Sequence, residues 1–350
     1  MQPDRDLSFD AFRGIVIIAV VAIHAGTVGL LENHSSSDMR DIYILVAYLQ
    51  SLFFAVPALI FMAGYWSSKK PVSSIRDYKS FLARKLPRIL IPYLFWSLVI
   101  FGWEAVKTRD LNLYCTSIKL ITGNACFPYY FVIVIVQLYL ITPVLQYLNR
   151  RPYGLALVLT LNIIALSALY FSRVYHIIDR LPAYLPFYSW VIFYAFGLWI
   201  GNNGGRIPLS QTRRFLILPA LLMALLLSML EEIVLLSQYD NLNFAISPLK
   251  YSSFLYSGCI VLGFLAVREH IKYWPKILVA VGRCSYGIYL IHIFILKRVI
   301  EIIQKIGLIW SFPPLGQLVI VLATLSVCFI LISIARKLLP EVFCRRVLGF

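Results

Sequence analysis

The chain has 350 residues, of which 60% are apolar and only 14% are charged, and its mean hydropathy is +0.80. A soluble domain carries about 25% charged residues, so this composition excludes a soluble globular enzyme, a disordered chain and a disulfide-stapled secreted domain. The apolar runs do not alternate as the strands of an outer-membrane barrel do. The net charge of +16 would suggest nucleic acid in a soluble protein, but here we expect no nucleic-acid partner.

Ten apolar segments are long enough, or nearly so, to cross a bilayer, which takes about 20 apolar residues. We therefore predict an all-α, polytopic membrane protein of about ten transmembrane helices. The connecting loops are short, so we expect residues 1–350 to form a single membrane-embedded domain with no fused soluble domain. The first segment is long and lacks a cleavage site, which indicates a retained helix. The predicted spans are residues 12–31, 42–66, 89–106, 128–148, 153–171, 186–201, 215–236, 249–267, 277–297 and 314–335.

The basic residues predict the orientation of these spans. Ten spans put both termini on one side of the membrane. With the N-terminus inside, 22 of the 32 Lys and Arg residues fall in the inner segments. This bias follows the positive-inside rule and predicts that both the N-terminus and the C-terminus lie inside. It also explains most of the net charge without any ligand.

The first span contains two ionisable residues that lie on the same helix face. Arg13 and His24 are eleven positions apart, which is three helical turns plus about 20° of rotation and about 16 Å of rise. A charged or titratable side chain inside lipid is costly and marks a candidate functional site. For Arg13 the alternative is a snorkelling flank residue. For His24 the alternative is a packing hydrogen bond between helices.

Two further groups of polar residues lie in or beside predicted spans. Ser285, Tyr289 and His292 have the i, i+4, i+7 spacing of one helix face. This spacing is equally compatible with a polar pocket and with a row of hydrogen bonds between helices. The cations Arg84, Lys85 and Arg88 precede the third apolar core and suit either a phosphate-bearing ligand or anionic lipid.

The remaining titratable residues have simpler interpretations. Cys115 and Cys126 share one predicted outer loop, and the sequence is compatible either with a disulfide between them or with two free thiols. No Cys or His spacing indicates a metal site. We expect solvated histidines in the loops and snorkelling glutamates near the span ends, namely His34, His176 and His270, and Glu104, Glu231 and Glu232.

Five sequence motifs follow one another along nearly the whole chain. They are FDAFRG at 9–14 with His24 eleven residues after Arg13, VPALIFMAGY at 56–65, KLPRILIP at 85–92, Tyr130-Phe131 with LYLITP at 138–143, and SYGIYLIH at 285–292. In this order they resemble the motifs of integral-membrane acyltransferase family 3, the group containing bacterial O-antigen and exopolysaccharide O-acetyltransferases. Two positions depart from the family pattern. Ala63 replaces the usual Ser, and Lys85 stands at the first basic position unless Arg84 serves there, which loses bidentate phosphate recognition.

The resemblance implies site residues and a donor. The donor would be acyl-CoA, with acetyl-CoA the commoner case, used as a co-substrate without a metal. His24 would be the general base that takes the proton of the acceptor hydroxyl, and His292 a second candidate for carrying it. The implied sets are Asp10, Arg13 and His24 for catalysis, Arg13, Arg84, Lys85 and Arg88 for the CoA phosphates, and Tyr130, Ser285, Tyr286, Tyr289 and His292 for the substrate pocket.

We therefore expect a membrane O-acyltransferase of the bacterial inner membrane. It would transfer an acyl group from cytoplasmic acyl-CoA to a hydroxyl of an extracytoplasmic or lipid-linked glycan, with membrane lipids around it. The alternatives are a transporter or flippase, and an acyl-donor shuttle that serves a separate transferase. No inverted repeat or matched pair of broken helices favours transport. The acceptor and the oligomeric state stay open.

Overall fold

The structure, a computed structural model, describes residues 6–33, 39–109, 112–175, 177, 185–207, 214–239, 242–306 and 313–350. Within these ranges every regular element is helical, which confirms the all-α prediction. The helices are α1 Leu7–Asn33, α2 Met39–Gln50, α3 Ala55–Ser68, α4 Ile75–Thr108, α5 Leu113–Thr122, α6 Tyr130–Leu140, α7 Thr142–Asn149, α8 Gly154–Val174, α9 Val191–Asn202, α10 Ile217–Tyr239, α11 Leu242–Ala245, α12 Tyr251–Val267, α13 Lys276–Arg283, α14 Ser285–Lys305, α15 Pro313–Leu338 and α16 Glu341–Phe343.

The structure does not by itself confirm the expected count of ten spans. The described residues contain six helical segments long and apolar enough to cross a membrane, and eight if each of two bent helix pairs counts as one span. The bent pairs are α5 with the segment Phe127–Leu140, at 53°, and α13 with α14, at 79°. In the predicted spans 186–201 and 249–267, α9 and α12 have only 12 and 17 residues. Both are shorter than the roughly 20 residues that a crossing takes.

Two predicted loops contain helix because local capping signals begin and end it there. The Asn112 side chain accepts a hydrogen bond from the Cys115 backbone N–H at 3.0 Å, and Gly123 ends α5 with φ +74°. The Ser74 side chain caps α4 by accepting from the Asp77 N–H at 3.1 Å. α4 therefore begins well before the predicted span and carries Arg84, Lys85 and Arg88 on a helix. Cys115 and Cys126 are free thiols.

α1 lies in the centre of the bundle and packs against α2, α3, α13, α14 and α15. Its crossing with α13 is close because both helices present glycine there. A Cβ on Gly14 would lie 2.2 Å from the Leu278 carbonyl oxygen, and one on Gly282 would lie 1.8 Å from the Asp10 carbonyl oxygen. Small residues let membrane helices approach at backbone distance. This crossing brings Asp10 and Arg13 beside the bend at Cys284, where α14 begins.

A cluster of buried polar side chains lies between α2, α10 and α12. It corrects the expectation that Glu232 snorkels at a span end. Glu232 is 2% exposed and Lys250 is fully buried, so Glu232 does not snorkel at a span end. The Lys250 ammonium donates to the Ala245 carbonyl at 2.7 Å, and the Gln50 side chain donates to the same oxygen at 2.8 Å. Ser228 donates to Gln50 at 2.9 Å. The i, i+4 spacing of Ser228 and Glu232 was the available sequence signal for this cluster.

Candidate functional site

A cavity of about 330 Å³ lies between five helices and gathers several of the predicted residues. Apolar side chains of α1, α3, α4 and α6 form much of its wall. Its polar lining comes from two cations, one serine and three tyrosines. The lining residues are Arg13, Ile17, Leu59, Met62, Ala63, Trp66, Lys85, Ile89, Phe131, Val132, Ile135, Tyr139, Ser285, Tyr286 and Tyr289. An apolar pocket with a few convergent polar groups is typical of a small-molecule site.

Arg13 is the cavity cation on α1, and Asp10 holds it. The Arg13 guanidinium lies 3.6 Å from the Asp10 carboxylate, and the Arg283 Nε lies 3.4 Å from the other oxygen of that carboxylate. The Asp10 side chain is only 5% exposed and is absent from the cavity lining. A buried carboxylate between two guanidiniums fixes their positions. The buried Asp10 carboxylate therefore positions the Arg13 guanidinium, and the sequence-based assignment of Asp10 to catalysis stays a prediction.

Lys85 is the second cavity cation, whereas its two basic neighbours on α4 do not line the cavity. The Lys85 ammonium lies 5.4 Å from the Tyr139 ring centre and 6.0 Å from the Phe81 ring centre. These ring faces stabilise a cation inside an apolar wall. Arg84 is exposed and bonds to Ser80, Arg88 is exposed, and neither lines the cavity. Of the three predicted cations on α4, the structure brings only Lys85 to the cavity.

The tyrosines at the start of α14 are already engaged as hydrogen-bond donors. The Tyr286 hydroxyl donates to the Ile89 carbonyl at 2.5 Å, and the Tyr289 hydroxyl donates to the Pro128 carbonyl. Each hydroxyl has one hydrogen, so these two cannot also donate to a ligand. These two hydrogen bonds hold α14 against its neighbours. Tyr130 is absent from the cavity lining and packs on Phe127 instead.

Two histidines from different helices lie side by side beyond the cavity. The ring centres of His24 and His292 are 5.2 Å apart, and Phe127 meets His24 edge-on at 5.8 Å. The Tyr289 ring, which lines the cavity, lies 6.1 Å from the His292 ring. Tyr289 therefore connects the cavity with the histidine pair. Nothing in the sequence alone relates the position of His24 to that of His292.

The hydrogen bonding of His292 defines its tautomer. Its Nδ1 lies 2.7 Å from the Tyr289 carbonyl oxygen, which can only accept, so in the neutral ring Nδ1 carries the hydrogen. The other nitrogen, Nε2, is then a bare acceptor. It is fully buried and has no hydrogen-bond partner within the described residues. A buried acceptor without a partner is costly, and this one lies beside His24.

His270 lies apart from this site. His270 is exposed, with its ring nitrogen 2.6 Å from Arg214. The predictions for His34 and His176 fall outside the described residues. Across the described ranges, no three His, Cys, Asp or Glu side chains are grouped closely enough to hold a metal ion. The aromatic wall, chiefly Trp66, Phe131 and Tyr139, was missed from sequence because apolar helices carry aromatic residues everywhere.

Comparisons with known proteins agree with this architecture. The family model described as an acyltransferase domain, acyltransferase family 3, matches residues 6–333. A Bacillus subtilis (strain 168) protein named "Putative membrane-bound acyltransferase YfiQ" is 23% identical over 336 residues, covering 90% of this chain and 86% of that protein. A Staphylococcus epidermidis protein named "Probable poly-beta-1,6-N-acetyl-D-glucosamine export protein" is 24% identical over 294 residues, covering 81% of this chain and 79% of that protein.

No solved structure matches the chain significantly. The family match covers nearly the whole chain and includes both histidines and the cavity residues. The apolar helices and the relatives together indicate a multi-pass membrane protein. This chain therefore belongs to acyltransferase family 3 and is a membrane acyltransferase.

Proposed function

We propose that the protein transfers an acyl group from acyl-CoA to a hydroxyl of an extracytoplasmic or lipid-linked glycan, and that this group is acetyl. One observation carries the proposal. Arg13 in the cationic cavity and His24 in the histidine pair lie on one face of α1, about 16 Å apart along the helix axis. Acyl-CoA carries its phosphates and its thioester at opposite ends of a long, flexible arm, which suits a separation of this kind.

In this proposal the cavity holds the donor. Arg13 and Lys85 bind phosphate oxygens, and Asp10 keeps the Arg13 guanidinium in place. The first turn of α14 adds the Ser285 hydroxyl and backbone N–H groups, which favour an anion. Arg84 and Arg88, exposed on α4, contact the nucleotide phosphates outside the cavity.

The histidine pair performs the transfer. His24 accepts the proton of the acceptor hydroxyl while the hydroxyl oxygen attacks the thioester carbonyl carbon. The new C–O bond forms and the C–S bond breaks, and the CoA thiolate leaves and takes the proton from the His24 imidazolium. The bare Nε2 of His292 lies close enough to assist through one water. Tyr130, packed on Phe127 beside His24, belongs to the acceptor side.

We further propose that the N- and C-termini lie in the cytoplasm of a bacterial cell and that the membrane is the inner one. The support is the predicted distribution of charge, with 22 of the 32 basic residues on that side. A count of ten spans requires that the short helices α9 and α12 also cross within the bundle. Under this orientation the cavity opens towards cytoplasmic acyl-CoA and His24 lies in the outer half.

Mass spectrometry of surface glycans tests the proposal. Cells carrying the wild-type gene should show a glycan mass increment of one acyl group that cells carrying His24→Gln lack, at equal membrane levels of the protein. The size of the increment identifies the acyl group. An unchanged increment in the variant would exclude His24 as the base.

The export name of the Staphylococcus epidermidis relative favours a second candidate, movement of a glycan across the membrane without covalent chemistry. Sealed vesicles with radiolabelled acetyl-CoA and a labelled oligosaccharide separate the two. Acyl transfer puts acetyl label on the saccharide. Transport alone moves the saccharide across the vesicle membrane and leaves it unmodified.

A further inference from the structure

A patch of basic and aromatic side chains lies on the ends of α4 and α14 that point away from the cavity, together with α5. We call it the rim, and side-chain contacts join its three helices. The Lys119 ammonium lies 3.9 Å from the Glu104 carboxylate, and the ring centres of Trp103 and Phe294 are 6.2 Å apart. Its members are Trp103, Glu104, Lys107, Arg109, Lys119, Phe294, Lys297, Arg298, Glu301 and Lys305.

The centre of the rim is an arginine between two aromatic rings. The Arg298 guanidinium carbon lies 5.7 Å from the Trp103 ring centre and 5.9 Å from the Phe294 ring centre. Its Nη1 lies 2.6 Å from the Glu301 carboxylate. Trp103 is 53% exposed and Phe294 47%, so both rings keep open faces. These contacts bring one cation, two aromatic rings and one carboxylate close together.

The rim lies next to the histidine pair. Phe127, which lies between α5 and α6 in the chain, meets the His24 ring edge-on at 5.8 Å. α14 carries His292 little more than one turn before Lys297, and its opposite end forms the cavity wall. The histidine pair therefore lies between the donor cavity and the rim.

The rim carries more positive charge than the positive-inside rule predicts for an outer surface. In the proposed orientation the rim is outside, where basic residues are disfavoured. Yet residues 103–119 and 294–305 contain six basic residues against three acidic ones. An interfacial belt accounts for a Trp or a snorkelling Arg. It does not account for six of the ten predicted outer basic residues lying on neighbouring helix ends.

We propose that the rim binds an anionic saccharide, the acceptor class of the acyl transfer. This inference rests on the proposed function. The lysines and Arg298 attract carboxylate or phosphate groups and raise the local concentration of an anionic acceptor. The open faces of Trp103 and Phe294 accept the C–H faces of pyranose rings, and Glu104 and Glu301 accept hydrogen bonds from hydroxyls. A saccharide held there presents a neighbouring hydroxyl to His24.

Saccharide binding without turnover tests the rim. The full-length protein is placed in phosphatidylcholine nanodiscs without acyl-CoA, and binding of tetragalacturonate is measured by calorimetry and by tryptophan fluorescence. We expect saturable binding that weakens with salt and is at least tenfold tighter than that of neutral cellotetraose. The Lys119→Gln/Lys297→Gln variant should bind at least tenfold more weakly, and Trp103→Phe should lose the fluorescence change.

A matched variant controls for loss of two charges. Lys272→Gln/Lys276→Gln removes two exposed lysines at the start of α13 and just before it, away from the rim, and should keep wild-type affinity. Equal affinity for the neutral saccharide, unchanged affinity in Lys119→Gln/Lys297→Gln, or preferential binding of phosphatidylglycerol headgroups in place of the saccharide would each overturn the proposal. Binding by the rim in a protein that transfers no acyl group would instead contradict the proposed function alone.

Discussion

His24 and His270 are the same residue type in two different environments. His24 lies in the first span against His292, whereas His270 is exposed and its ring nitrogen contacts Arg214. Arg13 and Lys85 differ in the same way from the exposed basic residues of α4. In the proposed complex the residues of the cavity and the histidine pair contact the buried part of the donor, whereas Arg84 and Arg88 contact only its nucleotide outside the cavity. Variants of the buried site residues should therefore lose donor binding or turnover, and variants of histidines and basic residues outside the donor site should not.

Replacing His24 by Gln keeps the size and polarity of the side chain and removes the base. We expect kcat to fall by about 10²–10⁴-fold, the usual contribution of a positioned general base. The KM for acyl-CoA should change little because His24 is distant from the cavity cations. Steady-state kinetics in nanodiscs measure both constants. His270→Gln is the matched control, and an equal loss of kcat in both variants would contradict the role of His24.

Replacing Lys85 by Gln removes a cavity cation. A hydrogen bond to a charged group contributes about 1.5–3 kcal/mol, so the KM for acyl-CoA should rise by about tenfold or more. Lys79→Gln removes an exposed cation from the same helix and should leave the KM unchanged. Isothermal titration with CoA measures the binding step directly. Equal affinities of the two variants would exclude Lys85 as a phosphate ligand.

At the scale of elements, the bundle depends on close crossings and on a buried charge cluster. Gly14 and Gly282 bring α1 and α13 to backbone distance, and this contact positions Asp10 between Arg13 and Arg283. The bend between α13 and α14 then puts the first turn of α14 into the cavity wall. Damage to the crossing should therefore reduce both stability and donor binding.

Adding a methyl group at Gly282 should destabilise the protein. Its Cβ would lie 1.8 Å from the Asp10 carbonyl oxygen, so the helices must separate. Overpacking of this kind costs about 1–3 kcal/mol, and the unfolding temperature in detergent should fall. In Gly258→Ala the new Cβ meets nothing within 4 Å, so that variant should be neutral or slightly stabilised. A Gly282→Ala protein as stable as Gly258→Ala would contradict the close crossing.

Removing Lys250 should leave the buried Glu232 carboxyl group without its neighbouring cation. A buried charge left without a compensating charge is destabilising, so Lys250→Met should unfold at a lower temperature. The double variant Lys250→Met/Glu232→Gln should recover part of that loss because the uncompensated charge is gone. Thermal unfolding in detergent measures both. Equal losses in the single and double variants would show that the two side chains do not interact.

At the scale of the whole molecule, the orientation determines which substrate reaches which face. The cavity and the rim lie at opposite ends of α14, so one faces the cytoplasm if the other faces outward. Helix packing is the same in either orientation. The transmembrane direction therefore depends on the flanking basic residues.

Accessibility of cysteines to a membrane-impermeant maleimide tests the proposed orientation. Cys115 is exposed on α5, which should face outward, so intact spheroplasts should be labelled there. A cysteine introduced by Lys272→Cys in a Cys115→Ser background should react only after permeabilisation. The reverse pattern would place the rim in the cytoplasm and contradict the acceptor role.

Composition, helical periodicity and residue spacing were enough to predict the membrane class, the helical architecture and the alignment of Arg13 with His24, because these are local properties of the chain. The family resemblance rests on five short motifs, which are also read along the chain. The tertiary structure decided which residues meet. It paired His24 with His292, brought Lys85 but neither Arg84 nor Arg88 to the cavity, bent the chain at Cys284 and buried Glu232 with Lys250. These depend on how helices cross and where they break, and local sequence patterns do not specify contacts between distant segments.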